Sequence, residues 1–246
     1  MQLTHNTILI TGGTSGIGLA FAKEFKDRDN TVIICGRRED RLNEIMMQHP
    51  GIITRVCDVA DEKQREELVE WLVTNYPGTN VLINNAGIQL LTDLTNPCSL
   101  DRVRAEIETN LVAPIHLSSL LAPHLRNMDG AAIINISSGL AFAPLSFMPV
   151  YCATKAAIHS VSLSLRHQLK DTHVKVFEIA PPAVDTELGH DRREDKSQSH
   201  GGMPVDDFIA GAIEALQNDT YETAIGQAEN LRTKREELFE FMNAQH

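Results

Sequence analysis

The sequence predicts an α/β fold: a doubly wound parallel sheet between two helix layers, a three-layer sandwich forming a single domain over 1–246. Three observations predict it. Short β-branched runs alternate with longer amphipathic ones, a glycine-rich turn separates the first strand from the first helix, and 246 residues at 42% hydrophobic and 22% charged suit one large α/β domain. Strands that alternate with helices of about ten residues or more require right-handed crossovers, and so parallel pairing.

TILIT (7–11) opens the sheet and leads into a helix from Ile17 to Asp27. TVIIC (31–35) follows, then a charged helix from Arg38 to about Gln48. IITRVC (52–57) is the third strand; after it EKQREELVEWLVTNY places Leu68, Trp71 and Leu72 on one apolar side. The acidic segment DEKQREE reads as a solvated face. VLINN, in the 80s, and AAIINIS (131–137) bracket a long helix ending near Arg126. A helix that begins near Tyr151 precedes VKVFEIA (174–180), Pro204 opens a further helix at its first turn, and ETAIG precedes a charged C-terminal helix. The stretch 189–202, GHDRREDKSQSHGG, is polar and aperiodic, and is expected to form a flexible loop over the substrate.

The net charge of -11, from 33 acidic against 22 basic residues, argues against nucleic acid or an anionic membrane as partner, since both select a basic face. No run approaches the roughly 18 apolar residues that span a bilayer, and MQLTHNTILITGG lacks a basic segment followed by a long apolar one, so a cytoplasmic protein is expected. Cys35, Cys57, Cys98 and Cys152 form no CxxC pair and read as free thiols in a reducing compartment. No histidine is spaced as a ligand, and no metal is expected. His116, His124, His159 and His167 suit surface or satisfied core positions, while His190 and His200 flank the polar loop.

TGGTSGIG follows the first strand directly. Gly12, Gly16 and Gly18 let the backbone turn sharply and approach a pyrophosphate closely. Thr14, Ser15 and Ile17 complete a turn that leads into the positive end of a helix. At the end of the second strand an NAD site carries a carboxylate for the ribose hydroxyls; here Gly36 stands there, with Arg37 and Arg38 next. Guanidinium groups suit a 2′-phosphate, and a helix start is otherwise a poor place for a cation. NADPH is therefore expected over NADH, with Arg37 favoured over Arg38.

Tyr151 and Lys155, four apart in a helical stretch, share one face. A phenol ordinarily titrates at about 10, and a nearby ammonium lowers that value toward the range useful for general acid/base work.

TGxxxGxG differs from the GxGxxG of the common Rossmann fingerprint. Together with NNAG (84–87), Asn110, Ser138 and Tyr151-x-x-x-Lys155, in that order, it resembles the short-chain dehydrogenase/reductase family from Leu9 to about Thr186. The resemblance implies a Rossmann-like fold and several residue roles. Asp58, with Val59 beside it, would meet the adenine, although capping of the next helix would also explain Asp58. Asn85, Ala86 and Gly87 would line the cofactor, though strand-end turn chemistry also explains them. Pro181, Val184 and Thr186 would touch the nicotinamide carboxamide, with Pro182 where the family has glycine. Ser138, thirteen positions before Tyr151, would hold the substrate oxygen in preference to Ser137. Asn110 would kink its helix and anchor a water in a relay to Lys155, which would also reach the nicotinamide ribose.

SGLAF, PVYCATKAA, LRHQL and PP-V-D-T resemble the DltE-like branch of the family, which does not define a substrate. The expected partner is a small carbonyl or alcohol. By analogy the chain forms a homodimer or homotetramer through about 101–126 and 150–170. The alternative reading is a dinucleotide-binding redox sensor without catalysis; such proteins keep the glycine turn but commonly lose the Tyr/Lys pair, which is intact here. An epimerase of the extended branch would need a larger C-terminal domain than the sixty or so residues after Thr186.

Overall fold

The structure, a computed structural model, describes residues 1–188 and 201–244. Its centre is one sheet of seven strands: β1 (Thr7–Thr11), β2 (Thr31–Gly36), β3 (Ile52–Val56), β4 (Thr79–Asn84), β5 (Ala132–Ile136), β6 (Lys175–Ala180) and β7 (Glu222–Ala224). They lie in the order β3-β2-β1-β4-β5-β6-β7, every neighbouring pair parallel. The chain builds outward from β1 to β3, then crosses back to β4 on the other side of β1. That reversal leaves a crevice at the carboxyl ends of β1 and β4, where open parallel sheets bind ligands.

The strands are apolar on both sides because both sides are covered. Ile8, Ile10, Val32, Ile34, Val81 and Ile83 join one core, with Phe21 and Phe25 of α1 (Gly16–Lys26), Leu42 and Ile45 of α2 (Glu39–Gln48), and Phe208 of α7 (Val205–Gln217). Leu9, Ile33, Cys35, Leu82 and Ile133 join the other, with Leu68 and Leu72 of α3 (Glu62–Asn75) and Leu117 and Leu121 of α5 (Ala113–Leu125). The alternation within β1, with Ile8 and Ile10 on one face and Leu9 on the other, is the two-residue period of a strand.

Four expectations change in detail. The long helix ending near Arg126 comprises α4 (Leu100–Ile107), a π turn over Glu108–Val112, and α5. Pro114 has no N–H to give the Asn110 carbonyl four residues back, and its ring crowds that carbonyl, which accounts for the widened turn. The charge-rich start of α3, expected to be wholly solvated, turns Arg65 inward: it is buried, and its guanidinium donates to the Val59 carbonyl, to Glu108 Oε1 at 2.9 Å and to His116 Nδ1 at 3.0 Å. The charged C-terminal helix is broken: α8 (Gln227–Lys234) ends where Arg235 takes φ 51°, and a short 3-10 turn (Arg235–Leu238) leads to α9 (Phe239–Asn243). Pro204 caps α7 rather than lying inside it.

Among the described residues no helix is long and apolar enough to cross a membrane, and all four cysteines are free. The α1–α7 face should be a main source of stability, because the Phe21 ring packs edge-on to Phe208 at 6.3 Å and stacks with Phe25 at 6.0 Å. Phe208→Ala should lower the urea-unfolding free energy by about 3–5 kcal/mol. A loss below about 1 kcal/mol, no more than an average substitution, would show that this face is not packed as described.

Candidate active site

The turn after β1 is fixed by the segment after β4. Thr11 Oγ1 accepts the backbone N–H groups of Asn85 and Ala86, both at 3.0 Å, and Asn85 Nδ2 donates back to the carbonyls of Thr11 (2.9 Å) and Gly12 (3.2 Å). The approach is close enough to require glycine. A Cβ on Gly12, whose φ is +66°, would stand 2.8 Å from Ala86 Cα, and one on Gly18 would stand 2.4 Å from Asn85 Nδ2. Gly16, with φ +52°, starts α1 against Thr186, whose Cβ would lie 3.0 Å from an added methyl. Because Ser15 makes no side-chain cap, the first N–H groups of α1 stay available at the positive end of the helix, as a pyrophosphate requires.

Thr14 lies against Gly36: a Cβ there would meet Thr14 Cγ2 at 2.7 Å, so the absent carboxylate is also sterically disfavoured. Arg38, and not Arg37, is held at this turn. Its guanidinium donates to Thr14 Oγ1 (3.0 Å), Ser15 Oγ (3.2 Å) and Glu187 Oε2 (3.1 Å). Arg37 is exposed and makes no hydrogen bond or ion pair among the described residues. Glu187 also pairs with Arg41 at 3.3 Å; partial burial works against it, but hydrogen bonds from Arg38 and Ser15 hold its carboxyl below the ordinary range. Asp58 does not cap α3, a role taken by Asp61; its Oδ1 accepts the Ala60 N–H at 3.0 Å. Val59 is buried beside it, held through its carbonyl by Arg65.

The second half of the site lies at the ends of β5 and β6. Tyr151 stands in the first turn of α6 (Pro149–Gln168) and Lys155 one turn on. Lys155 is 5% exposed; its Nζ donates to the Ile136 carbonyl at 2.8 Å and sits 5.7 Å from the Tyr151 ring centre. Burial pushes its pKa down to about 8, with buried Glu178 acting in the opposite direction. Asn110, in the π turn, brackets the chain after NNAG: Oδ1 accepts from Ile88 N and Nδ2 donates to Ile88 O, both at 2.8 Å, with a further bond to Thr154 Oγ1 at 3.2 Å. Gly87 lies between these groups, and a Cβ there would be 3.4 Å from Asn110 Oδ1 and 3.8 Å from Lys155 Nζ.

A cavity of about 760 Å³ opens in front of Tyr151 and Ser138. Ser138 Oγ accepts the Leu140 N–H at 3.1 Å, whereas the Ser137 hydroxyl is buried with no partner among the described residues. Ile17, Pro181, Val184 and Thr186 form the side toward the phosphate turn, with Pro182 adding its ring to that wall. Further lining comes from a region the sequence did not mark: Leu231 in α8, Leu238, and Phe241 and Met242 in α9. The loop expected over the substrate, 189–202, lies outside the described residues except for Gly201 and Gly202, and His190 and His200 lie outside them too.

His116 and His124 are hydrogen-bonded at the ends of core elements. Among the described residues, two groups that sequence spacing could not reveal bring ligand-type atoms within 4.8 Å of one another: Glu62, Glu66 and His116, and His159, Glu178 and Glu222. In the second, His159 pairs with Glu178 at 2.8 Å and Arg232 with Glu222 at 2.6 Å.

The sequence profile described as short chain dehydrogenase matches residues 6–197. The chain is 49% identical to the oxidoreductase DltE of Bacillus subtilis strain 168, over 100% of this chain and 99% of that one. Among solved structures, a short-chain dehydrogenase from Sphingobium yanoikuyae in complex with NADPH matches with TM-score 0.80 at 26% identity, over 89% of this chain and 87% of that one. One from Burkholderia phymatum in complex with NAD matches in fold, with TM-score 0.83 at 20% identity over 94% and 93%.

In the unliganded protein the Lys155 amine should lose its proton near pH 8, so the cost of burying its charge is present below pH 8 and falls away as pH rises toward 10.5. Lysine side-chain NMR, assigned with Lys155→Met, checks this; a midpoint near 10.5 would mean that water reaches the amine.

Proposed function

The chain belongs to the short-chain dehydrogenase family, and on that premise we propose that it is an oxidoreductase moving a hydride between NADP(H) and the carbonyl or alcohol carbon of a small substrate, with Tyr151 as general acid/base. One observation carries the reading: Tyr151 and Ser138 share the wall of one cavity while the Lys155 amine lies buried behind the tyrosine ring.

The nicotinamide dinucleotide, when bound, supplies or accepts the hydride. Everything else falls to the chain. Ser138 already accepts one N–H through its oxygen, so its own hydrogen is free to be donated to the substrate oxygen. In reduction Tyr151 gives its phenolic proton to that same oxygen, and the charge left on the phenolate belongs to a ring whose centre lies 5.7 Å from Lys155 Nζ. In oxidation Tyr151 takes the proton back. Asn110 fixes the Ile88 backbone and α6 relative to each other, which holds this geometry.

The preference for NADPH is supported by the Gly36 contact and by the placement of Arg38, whose guanidinium can exchange the Glu187 carboxylate for a 2′-phosphate. Pairing of protomers through α4, α5 and α6 is supported by Ile107, Ile115 and Leu163, large apolar side chains exposed on those helices. A cytoplasmic location fits the four free cysteines.

Tyr151→Phe should cut turnover by about 10²–10⁴-fold and leave NADPH binding, read by its fluorescence, intact. Unchanged turnover would remove Tyr151 from the mechanism. Arg38→Ala should raise KM for NADPH by about ten- to a hundredfold while barely moving that for NADH. If Arg37→Ala has the larger effect, or both cofactors weaken equally, the placement of the 2′-phosphate fails.

A further inference from the structure

The wall of the cavity has a consistent chemistry. None of the described residues that line it carries a charge. Its polar groups are neutral: Gln89, Ser138, Tyr151, Thr186, Gln227 and Asn230. The apolar lining includes Leu140, Leu145 and Met148, together with Leu231, Leu238, Phe241 and Met242 from the C-terminal region.

Among the described residues, several charged groups beside this wall are engaged elsewhere. Arg232, next to Leu231, pairs with Glu222 at 2.6 Å. Arg235 lies over the Phe142 ring at 5.7 Å. Glu187 is held by Arg38 and Arg41, and Lys155 donates to Ile136. A carboxylate or sulfonate entering this space would lose its water and find no cation in the described wall to replace it.

The C-terminal part of the wall is anchored. Asn243 Oδ1 accepts the Ser146 N–H at 2.7 Å, and its Nδ2 donates to the Pro144 carbonyl at 3.1 Å, which ties α9 to the segment carrying Leu145. Gly139 permits the contact beneath it, since a Cβ there would meet Leu231 Cδ1 at 2.8 Å. At the rim Phe241 is 81% exposed and Leu188 41%, apolar surface that a substrate would cover.

Resting on the oxidoreductase reading above, we propose that the substrate is an uncharged carbonyl compound or alcohol with an apolar body, and that Leu238, Phe241 and Met242 set the length of that body. Each methylene buried against this wall raises kcat/KM about three- to fourfold until the cavity is filled. A terminal anion reverses the gain.

The test is a panel of aldehydes assayed with NADPH on the full chain: butanal to octanal, each paired with the aldehyde of equal length that ends in a carboxylate, such as butanal with succinic semialdehyde. The methyl-ended series should climb with length, and each carboxylated partner should fall about a hundredfold or more below its counterpart. Phe241→Ala should flatten the length dependence, and Met242→Lys should raise turnover of the carboxylated aldehydes at the expense of the methyl-ended ones. Carboxylated aldehydes turned over as well as or better than their partners would overturn the proposal and leave the oxidoreductase reading standing. A chain that reduces no aldehyde and oxidises none of the matching alcohols, with either NADPH or NADH, fails the oxidoreductase reading and this proposal with it.

Discussion

A lysine amine taken out of water tends to give up its proton, and it stays useful as a cation beside a phenol only if the protein supplies a partner at the right place. Here that partner is the Ile136 carbonyl, 2.8 Å away at the carboxyl end of β5, with the carboxylate of Glu178 on the adjacent β6 favouring the charged form. Burial brings the pKa of the amine down to about 8, against the opposing charge of Glu178. The Lys155–Ile136 contact ties α6 to the sheet at the end where Tyr151 stands, and Asn135–Ser162, His159–Glu178 and Arg166–Val176 tie it further along. It works because β5 and β6 end where α6 begins, which follows from parallel pairing and right-handed crossovers.

The remaining parts keep that arrangement in register with the phosphate turn. The Thr11 hydroxyl and the Asn85 amide bind the ends of β1 and β4 together, and the glycines allow backbone to pack on backbone. Asn110 then links the segment after β4 to α6 through Ile88 and Thr154. Asn85 and Asn110 thus hold protein to protein, and any contact they make with a dinucleotide comes in addition.

Much of this was legible in the sequence because it is local. Strands of β-branched residues, a glycine turn before a helix, and a tyrosine and lysine one helical turn apart all carry their own periodicity or spacing. Even the π turn has a local cause in Pro114, although only its consequence at Asn110 was expected, and that from family resemblance. What the sequence hid is long-range. Arg65 sits in a run of charges typical of a solvated face, and only the approach of Glu108 and His116 from another element makes it a buried anchor. The apolar residues of LFEFM (238–242) are spread among charges near the C-terminus, so nothing in the pattern marked them as the wall of a cavity formed with residues almost a hundred positions away. The sequence favoured Arg37, whereas the guanidinium held at the turn is that of Arg38, because Thr14 and Glu187, distant in sequence, lie within its reach.

The most direct measurement is a crystal structure of the chain with NADP⁺ bound. The Tyr151 hydroxyl and Ser138 Oγ should both face the reactive edge of the nicotinamide ring, close enough that one substrate oxygen lies about 3 Å from each, with Lys155 still on the Ile136 carbonyl. A Tyr151 hydroxyl turned from the ring, or covered so that no substrate oxygen can reach it, would contradict catalysis and leave a protein that only binds the dinucleotide.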